Sequence, residues 1–459
     1  MAIVSNFTNL CKTDLLAYHM KKRVCVIGAG PSGITAAKNL LDEGLDVTVY
    51  DYGQEVGGNW VFSEKVGHSS VFETTHIISS RTLSQYDDYP MPEDYPDYPS
   101  HRHLATYFQS YARTFNLYPH IQFNTLVKHC EQDQEGKWQV TTEQNGSTHT
   151  ETFDALAVCN GHHWQPRMPE YPGSFDGEFI HSHAVKRFSA FAGKRVLVIG
   201  GGNSACDVAV ESSRVAASVD MSWRRGYWIA PKFMMGKPAD VFSTKIHWLP
   251  RKIWQKLSAI SLYVRNGKNS DYGLPNPDGP LGSHHPTINE DLFFTIRHGK
   301  IKPRADIERL EGKKVHFKDG SVGEYDVIVA CTGYVIAHPF FDKQFIDYSE
   351  GEVPLWLRMI HPTINNLYFI GLFQPLGCIW PGAELQSKIM ARELAGLWHR
   401  PDNVAALIEK EMRHPDFKQI DTPRHTITVD YHRFRKRLLK HLPTNYIRHA
   451  IESHPSATA

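Results

Sequence analysis

The chain lacks any uninterrupted apolar stretch long enough to span a bilayer. Nor do residues 1–19 read as a secretory leader: they carry Asn6, Asn9, Lys12 and Asp14 and hold no continuous apolar core. Met20 stands directly before Lys21-Lys22-Arg23-Val24-Cys25-Val26-Ile27, so residues 1–19 read as an extension that adds nothing to the fold. There is no excess of charge. Fifty Lys and Arg face 49 Asp and Glu, a formal net charge of +1, which leaves no basic field for nucleic acid and no acidic tail. None of the seven cysteines forms a Cys-x-x-Cys pair, which argues against dithiol redox chemistry. Cys25, Cys159 and Cys331 lie in apolar runs and read as packed, reduced thiols, so a cytoplasmic setting is expected. His162-His163 and His284-His285 lack the His-Glu-x-x-His context of a metal site, and no metal is expected. The remaining composition, 41% hydrophobic and 22% charged, is that of a globular chain able to bury more than one core.

What is present is a pair of glycine turns. Arg23–Ile27 reads as a buried strand, followed by Gly28-Ala29-Gly30-Pro31-Ser32-Gly33, a helix with apolar Ile34, Ala37, Leu40 and Leu41, and a strand ending in Asp51. That is the context a dinucleotide fingerprint requires. Gly28 permits the tight turn, Gly30 lets the backbone approach a pyrophosphate, Gly33 permits close helix packing, and the helix start offers N–H groups to phosphate. Asp51 is placed to accept hydrogen bonds from a ribose diol. The pattern recurs at Arg195–Ile199 and Gly200-Gly201-Gly202-Asn203-Ser204-Ala205, with Asp207 on the helix that follows as a further expected cofactor contact. The next strand ends in Arg224 and Arg225 rather than an acid. Arginine suits a 2′-phosphate, and a solvated basic strand end is the plainer alternative. FAD is therefore assigned to the first turn and NADPH to the second.

The halves match further. Phe153–Gly161 parallels Tyr325–Gly333, and Gly28 to Phe153 and Gly200 to Tyr325 are both 125 positions, a repeat of 172. The expected fold is α/β, with two Rossmann-like domains, the NADP domain inserted in the FAD domain. Expected boundaries are 20–165 for the first part of the FAD domain, 166–332 for the NADP domain, and 333–459 for the second part with C-terminal helices. The two apolar strands are expected to cross between domains, with Thr332 and Gly333 at the cofactor interface. A third strand-turn, Asn366–Gly371, precedes Gln374 and a helix near Glu384, and is expected to return to the first domain and cover the flavin.

Several segments, in this order, resemble the flavin-containing monooxygenases over roughly residues 21–440. They are Gly57-Gly58-Asn59-Trp60, Cys159-Asn160-Gly161-His162-His163, Phe175-Asp176-Gly177 with His181, Cys331-Thr332-Gly333-Tyr334 and Ile370–Gly377. In the third, Val185 stands where the family signature has an aromatic. The resemblance implies that NADPH reduces FAD and NADP⁺ stays bound. It further implies that O₂ adds at the flavin C4a as a hydroperoxide, whose distal oxygen passes to a soft nitrogen or sulfur of a small molecule. Gly58, Asn59 and Trp60 would lie beside the flavin. Alternatives are Baeyer–Villiger attack on a ketone, an uncoupled NADPH oxidase and a non-catalytic flavoprotein. The pattern allows a homodimer.

The largest departure from the family lies in a loop that there reads Asn-Ser-Ser-Lys-Glu. Counting back from Asp87-Asp88-Tyr89-Pro90, the matching residues are Ile78-Ser79-Ser80-Arg81-Thr82, so Ile78 occupies the position of an asparagine thought to support the flavin peroxide. His76 is the expected substitute donor, and His76, Ile78 and Ser79 form the expected catalytic set. The proline-stiffened, tyrosine-rich run from Tyr86 to Pro99 reads either as an active-site wall or as a rigid structural loop. Microsomal members carry an apolar C-terminal anchor, whereas residues 445–455 here are polar. The basic run Arg433, Arg435, Lys436, Arg437 and Lys440 reads as a solvated helix face.

Overall fold

The structure is a computed structural model that describes residues 21–65, 68–244, 250–282, 287–375, 377–416, 426–444 and 446. The extension 1–19 and the His284-His285 pair lie outside the described residues. Ten strands carry the architecture: β1 (Arg23–Ile27), β2 (Asp46–Tyr50), β3 (Ile121–Gln122), β4 (Ala155–Val158), β5 (Glu178–His181), β6 (Arg195–Ile199), β7 (Ser218–Ser222), β8 (Ile301–Arg304), β9 (Val327–Ala330) and β10 (Leu367–Phe369). They form two five-stranded sheets, ordered β10-β4-β1-β2-β3 and β5-β9-β6-β7-β8. Every pairing in both sheets is parallel. The repeat is preserved in space: the first residues of β1, β2 and β4 recur 172 positions later as the first residues of β6, β7 and β9.

Parallel strands bury both faces, and alternation along each strand divides the residues between two layers. In the first sheet Val24, Val26, Val47, Val49, Ala155 and Ala157 pack against helices α1 (Pro31–Asp42) and α2 (His101–Thr114). Cys25, Ile27, Leu156, Val158, Leu367 and Phe369 face an antiparallel meander over 126–153 through Val127, Trp138 and Val140. In the second sheet Val196, Val198, Val219 and Val327 pack on α3 (Asn203–Ser212), while Leu197, Ile199 and Ile328 face Val315 and Phe317. Between β7 and β8 an insertion contributes α4 (Arg251–Asn266), on a small core of Trp228, Leu262 and Leu281. The chain then adds α5 (Trp380–Leu394) and α6 (Tyr431–Leu439). Among the described residues no helix is long and apolar enough to cross a membrane.

Two expectations are corrected here. The apolar strands β4 and β9 do not cross between domains, because each sits inside its sheet beside the fingerprint strand. The crossings are the extended segments just beyond them. Gln165–Pro166 pairs antiparallel with Tyr334–Val335, and the Arg167 N–H donates to the Gly333 carbonyl at 3.0 Å. The basic run is a solvated face only in part: Arg433, Lys436 and Lys440 are exposed. Arg435 is buried and donates to Asp87 Oδ2 at 3.0 Å, and Arg437 pairs with Asp416 at 3.0 Å.

The same contacts decide the tyrosine-rich loop in favour of a structural brace. Tyr86 Oη donates to the Pro31 carbonyl at 2.6 Å, and the Asp87 N–H to Glu384 Oε2 at 2.6 Å. Asp88 is held by Lys38 at 2.7 Å and Lys388 at 3.2 Å. The loop thereby fastens α5 and α6 to the start of α1.

Candidate dinucleotide sites and the cleft between them

Backbone geometry distinguishes the glycines of the first turn. Gly28 has φ +105°, and a methyl there would lie 2.8 Å from the Cys159 carbonyl oxygen. A methyl on Gly33 would lie 1.7 Å from the Gly28 carbonyl oxygen. Both positions must be glycine for the protein to close on itself. Gly30 differs: a methyl would meet only Gly58 Cα at 3.6 Å, an ordinary contact. The missing side chain at Gly30 thus leaves an open cradle over the start of α1, which has no side-chain cap. A helix start without a cap favours an anion such as a pyrophosphate there. Ala29 is buried, and its N–H donates to Asp51, which also accepts from Gly53 at 2.6 Å. Burial raises the Asp51 pKa above the usual carboxylate value. Asp51 therefore ties the glycine turn to the end of β2, besides its expected ribose role. Gly58 lies across the turn, its added methyl 3.1 Å from Gly30 Cα. The backbone of Gly371 approaches from β10: a methyl there would lie 2.2 Å from Ser32 Oγ. The late strand does return to the first domain.

The second turn repeats the device. Gly200 has φ +121°, and its added methyl would lie 2.6 Å from the Cys331 carbonyl oxygen. Cys159 and Cys331 follow β4 and β9 in equivalent places, which explains the repeated Cys-x-Gly. Ala205 stands where the first turn has its third glycine, and its side chain is buried. The insertion braces this turn. Asn203 Oδ1 accepts the Ile288 N–H at 2.7 Å, and Thr287 Oγ1 donates to the Gly201 carbonyl at 2.8 Å. Asp207 accepts from Asn289 Nδ2 at 2.8 Å, and burial pushes its pKa up to about 6. It braces α3 on the insertion and does not line the cleft. Sequence reasoning missed Thr287 and Asn289, whose segment carries no motif.

A cleft of about 210 Å³ opens at the second turn, between the two domains. From the first domain it is lined by Ile78, His162 and Gln374, and from the second by Gly202, Asn203 and Ser204, with Gly333 at the crossing. His162 Nε2 stands 3.3 Å from Gln374 Oε1. His162 follows β4 at the carboxyl edge of the sheet, where open α/β sheets place their ligands. The Ile78 loop is pinned at both domains. Ser79 Oγ is 2.8 Å from Ser84 Oγ, and the Ser80 N–H donates to Asp240 at 2.6 Å. His76 is not brought to the cleft: it is exposed, with Nδ1 3.0 Å from the Thr74 carbonyl. Ser79 is buried behind the loop. Thr332 Oγ1 donates to the Arg167 carbonyl, beside the crossing. Trp60 stands edge-on to Trp380 at 5.7 Å, next to Asn59 and Gly58. Arg224 is exposed and Arg225 half-buried at the end of β7, and among the described residues no carboxylate pairs with either.

Residues 21–445 match the family model for flavin-binding monooxygenase-like proteins. The chain belongs to the flavin-containing monooxygenase family. It is 37% identical over 404 residues to dimethylaniline monooxygenase [N-oxide-forming] 2 of Oryctolagus cuniculus, covering 83% of this chain and 75% of that protein. The structure resembles S-allyl-L-cysteine S-oxygenase from Allium sativum with a TM-score of 0.67 and 23% identity, covering 95% and 92% of the two chains. It also resembles ε-caprolactone-bound cyclohexanone monooxygenase, with a TM-score of 0.71, 16% identity and coverage of 92% and 97%. These two likenesses concern the fold. As a flavin-containing monooxygenase the enzyme uses FAD and NADPH, in keeping with the open cradle at Gly30 and the repeated turn at Gly200.

Proposed function

We propose that this monooxygenase uses NADPH and O₂ to place one oxygen atom on a soft nitrogen or sulfur of a small molecule. The observation that carries the reading is the cleft between the domains, which reaches the second glycine turn and whose first-domain wall sets apolar Ile78, Ile336 and Ile427 beside His162, His163, Ser349 and Gln374. FAD, when bound, supplies the redox and oxygen chemistry, and the protein supplies binding, orientation and shielding. The first turn and the start of α1 hold its pyrophosphate, with Asp51 on the ribose and Gly58, Asn59 and Trp60 alongside. Gly202, Asn203, Ser204 and Ala205 hold the second dinucleotide, with Arg224 and Arg225 on its 2′-phosphate.

Ile78 can neither donate nor accept a hydrogen bond. When His162 carries its proton on Nε2 it donates to Gln374 Oε1, which turns the Gln374 Nε2 hydrogens away from His162 and makes them the donors available beside Ile78. Gln374, rather than His76, then supplies the group expected of the family asparagine. The names of an N-oxide-forming relative and an S-oxygenase of the same fold support nitrogen or sulfur as the target. We place the enzyme in the cytoplasm, supported by six free cysteines, five of them buried, among the described residues. We place the domain boundaries at 20–165, 166–332 and 333–459, supported by the pairing of the two crossings.

The test is NADPH oxidation with a thioether, a tertiary amine and a ketone, with products and hydrogen peroxide quantified together. A sulfoxide or N-oxide is expected. A lactone or ester from the ketone alone would assign Baeyer–Villiger chemistry, and peroxide equal to the NADPH consumed with every substrate would refute oxygenation.

A further inference from the structure

A second cavity, of about 310 Å³, lies apart from the cleft. None of the residues that line it belongs to the cleft or to either glycine turn. Its apolar lining is Trp60, Val61 and Phe62 together with Ala105 of α2, and its charged residues are Glu73, Arg102 and Arg187. Arg187 comes from the segment between β5 and β6 of the second sheet, whereas α2 packs on the first sheet. A molecule held in this cavity therefore touches both domains.

The carboxylate in this lining is already used. Glu73 Oε1 accepts the Phe188 N–H at 3.0 Å, and Glu73 Oε2 pairs with Arg187 Nη1 at 3.2 Å. His101, also in the lining, is buried and adds no charge: burial holds its pKa below the usual value, and its Nε2 donates to the Glu73 carbonyl at 3.2 Å. Arg187 donates through Nε to Glu64 and lies over the Phe62 ring, 5.3 Å from its centroid. These contacts fix the Arg187 guanidinium and leave its Nη2 with no acceptor among the described residues. Arg102 is exposed on the first turn of α2, and among the described residues no carboxylate pairs with it.

The lining thus has one cation more than it has carboxylates, and two guanidinium groups keep N–H donors free. Such donors match a carboxylate in charge and in planar geometry. Trp60 and Phe62 offer aromatic surface to a flat ring. A cationic ligand would meet Arg102 and Arg187 with the single carboxylate already paired. The volume lies at the lower end of small-molecule sites, about 300–1,000 Å³, which suits a ligand of one or two rings.

We propose that this cavity is a second small-molecule site, for an aromatic monocarboxylate, with the ring against Trp60 and Phe62 and the carboxylate on Arg102 and Arg187. Such a ligand needs no soft nitrogen or sulfur, so the site is separate from the oxygenated substrate and is filled whether or not the cleft holds a dinucleotide.

The test is isothermal titration of the full-length, FAD-loaded enzyme with 2-naphthoate, alone and with saturating NADP⁺. Saturable binding to one site per chain is expected, and NADP⁺ should not displace the probe. Arg102→Glu should weaken 2-naphthoate binding by about tenfold or more, the loss of one charge-assisted contact. Its flavin content and its NADPH oxidation without the probe should be unchanged. The neutral 2-naphthamide should bind the wild type more weakly than 2-naphthoate does, and Arg102→Glu should leave its affinity unaltered. Ala105→Phe, whose ring occupies the apolar part of the cavity, should remove binding of both probes. A wild type that shows no saturable binding at millimolar 2-naphthoate overturns the proposal. So does an Arg102→Glu protein that binds 2-naphthoate like the wild type. Displacement by NADP⁺ would assign the probe to the cleft and also overturn it.

Discussion

Two glycine positions of the first turn, Gly33 and Gly30, should fail in opposite ways. A Gly33→Ala methyl lands 1.7 Å from the Gly28 carbonyl oxygen. That carbonyl cannot swing away easily, because the Gly28 N–H is bonded to the Tyr50 carbonyl at 2.8 Å and its φ is +105°. The expected cost is at or above the upper end of overpacking penalties, about 3 kcal/mol, taken from a total of about 5–15 kcal/mol. A Gly30→Val side chain begins 3.6 Å from its nearest neighbour, and Gly30 has an ordinary φ of −72°. Its cost to the flavin-free protein should stay below about 1 kcal/mol, while its methyl groups fill the cradle over α1. A loss of about 3 kcal/mol of binding would raise the FAD dissociation constant more than about a hundredfold. Urea denaturation of flavin-stripped protein measures the first quantity, and flavin fluorescence titration the second. Gly30→Val should be colourless but as stable as flavin-stripped wild type, and Gly33→Ala should be destabilised even without flavin. A yellow Gly30→Val protein with full FAD content, or a Gly33→Ala protein of wild-type stability, would refute the reasoning.

Arg224→Ala should raise the KM for NADPH about tenfold or more and leave NADH nearly unaffected, since a charge-assisted bond to a 2′-phosphate is worth about 1.5–3 kcal/mol at most; equal loss with both would mean a structural role. Gln374→Leu should increase hydrogen peroxide formed per NADPH consumed, Ile78→Asn should decrease it and His76→Ala should leave it unchanged, and a large effect of His76→Ala would return the donor role to that residue. Arg435→Met should cost about 3–5 kcal/mol in urea denaturation by stranding the buried Asp87 carboxylate, and a loss under about 1 kcal/mol would show that Tyr446, 3.1 Å from Asp87, suffices. Burial holds His181 near about 4 and His338 near about 3, below the usual 6.5. Both are neutral in the folded state, so their contribution is present above about pH 6.5 and is lost as pH falls towards 4. Replacing His338 with Phe should flatten that acid limb of the stability profile, and an unchanged limb would place its origin elsewhere.

The sequence alone determined the two glycine turns, the 172-residue repeat and the two cofactors, because these depend on local steric rules. A strand that must turn within a few residues against a carbonyl needs glycine at Gly28 and Gly200, wherever the rest of the chain goes. Side-chain partners were decided only by tertiary structure. Arg435 read as a solvated cation because its carboxylate, Asp87, lies 348 positions away. Asp207 read as a cofactor contact because Asn289 comes from an insertion without a motif. His76 is two residues from Ile78 in sequence, yet the backbone turns its ring to Thr74, while Gln374 and His162, separated by 212 positions, meet beside Ile78. Spacing along the chain specifies where a backbone can bend; which polar groups share a cleft depends on how two sheets pack across their crossing, and that is set by burial summed over both cores.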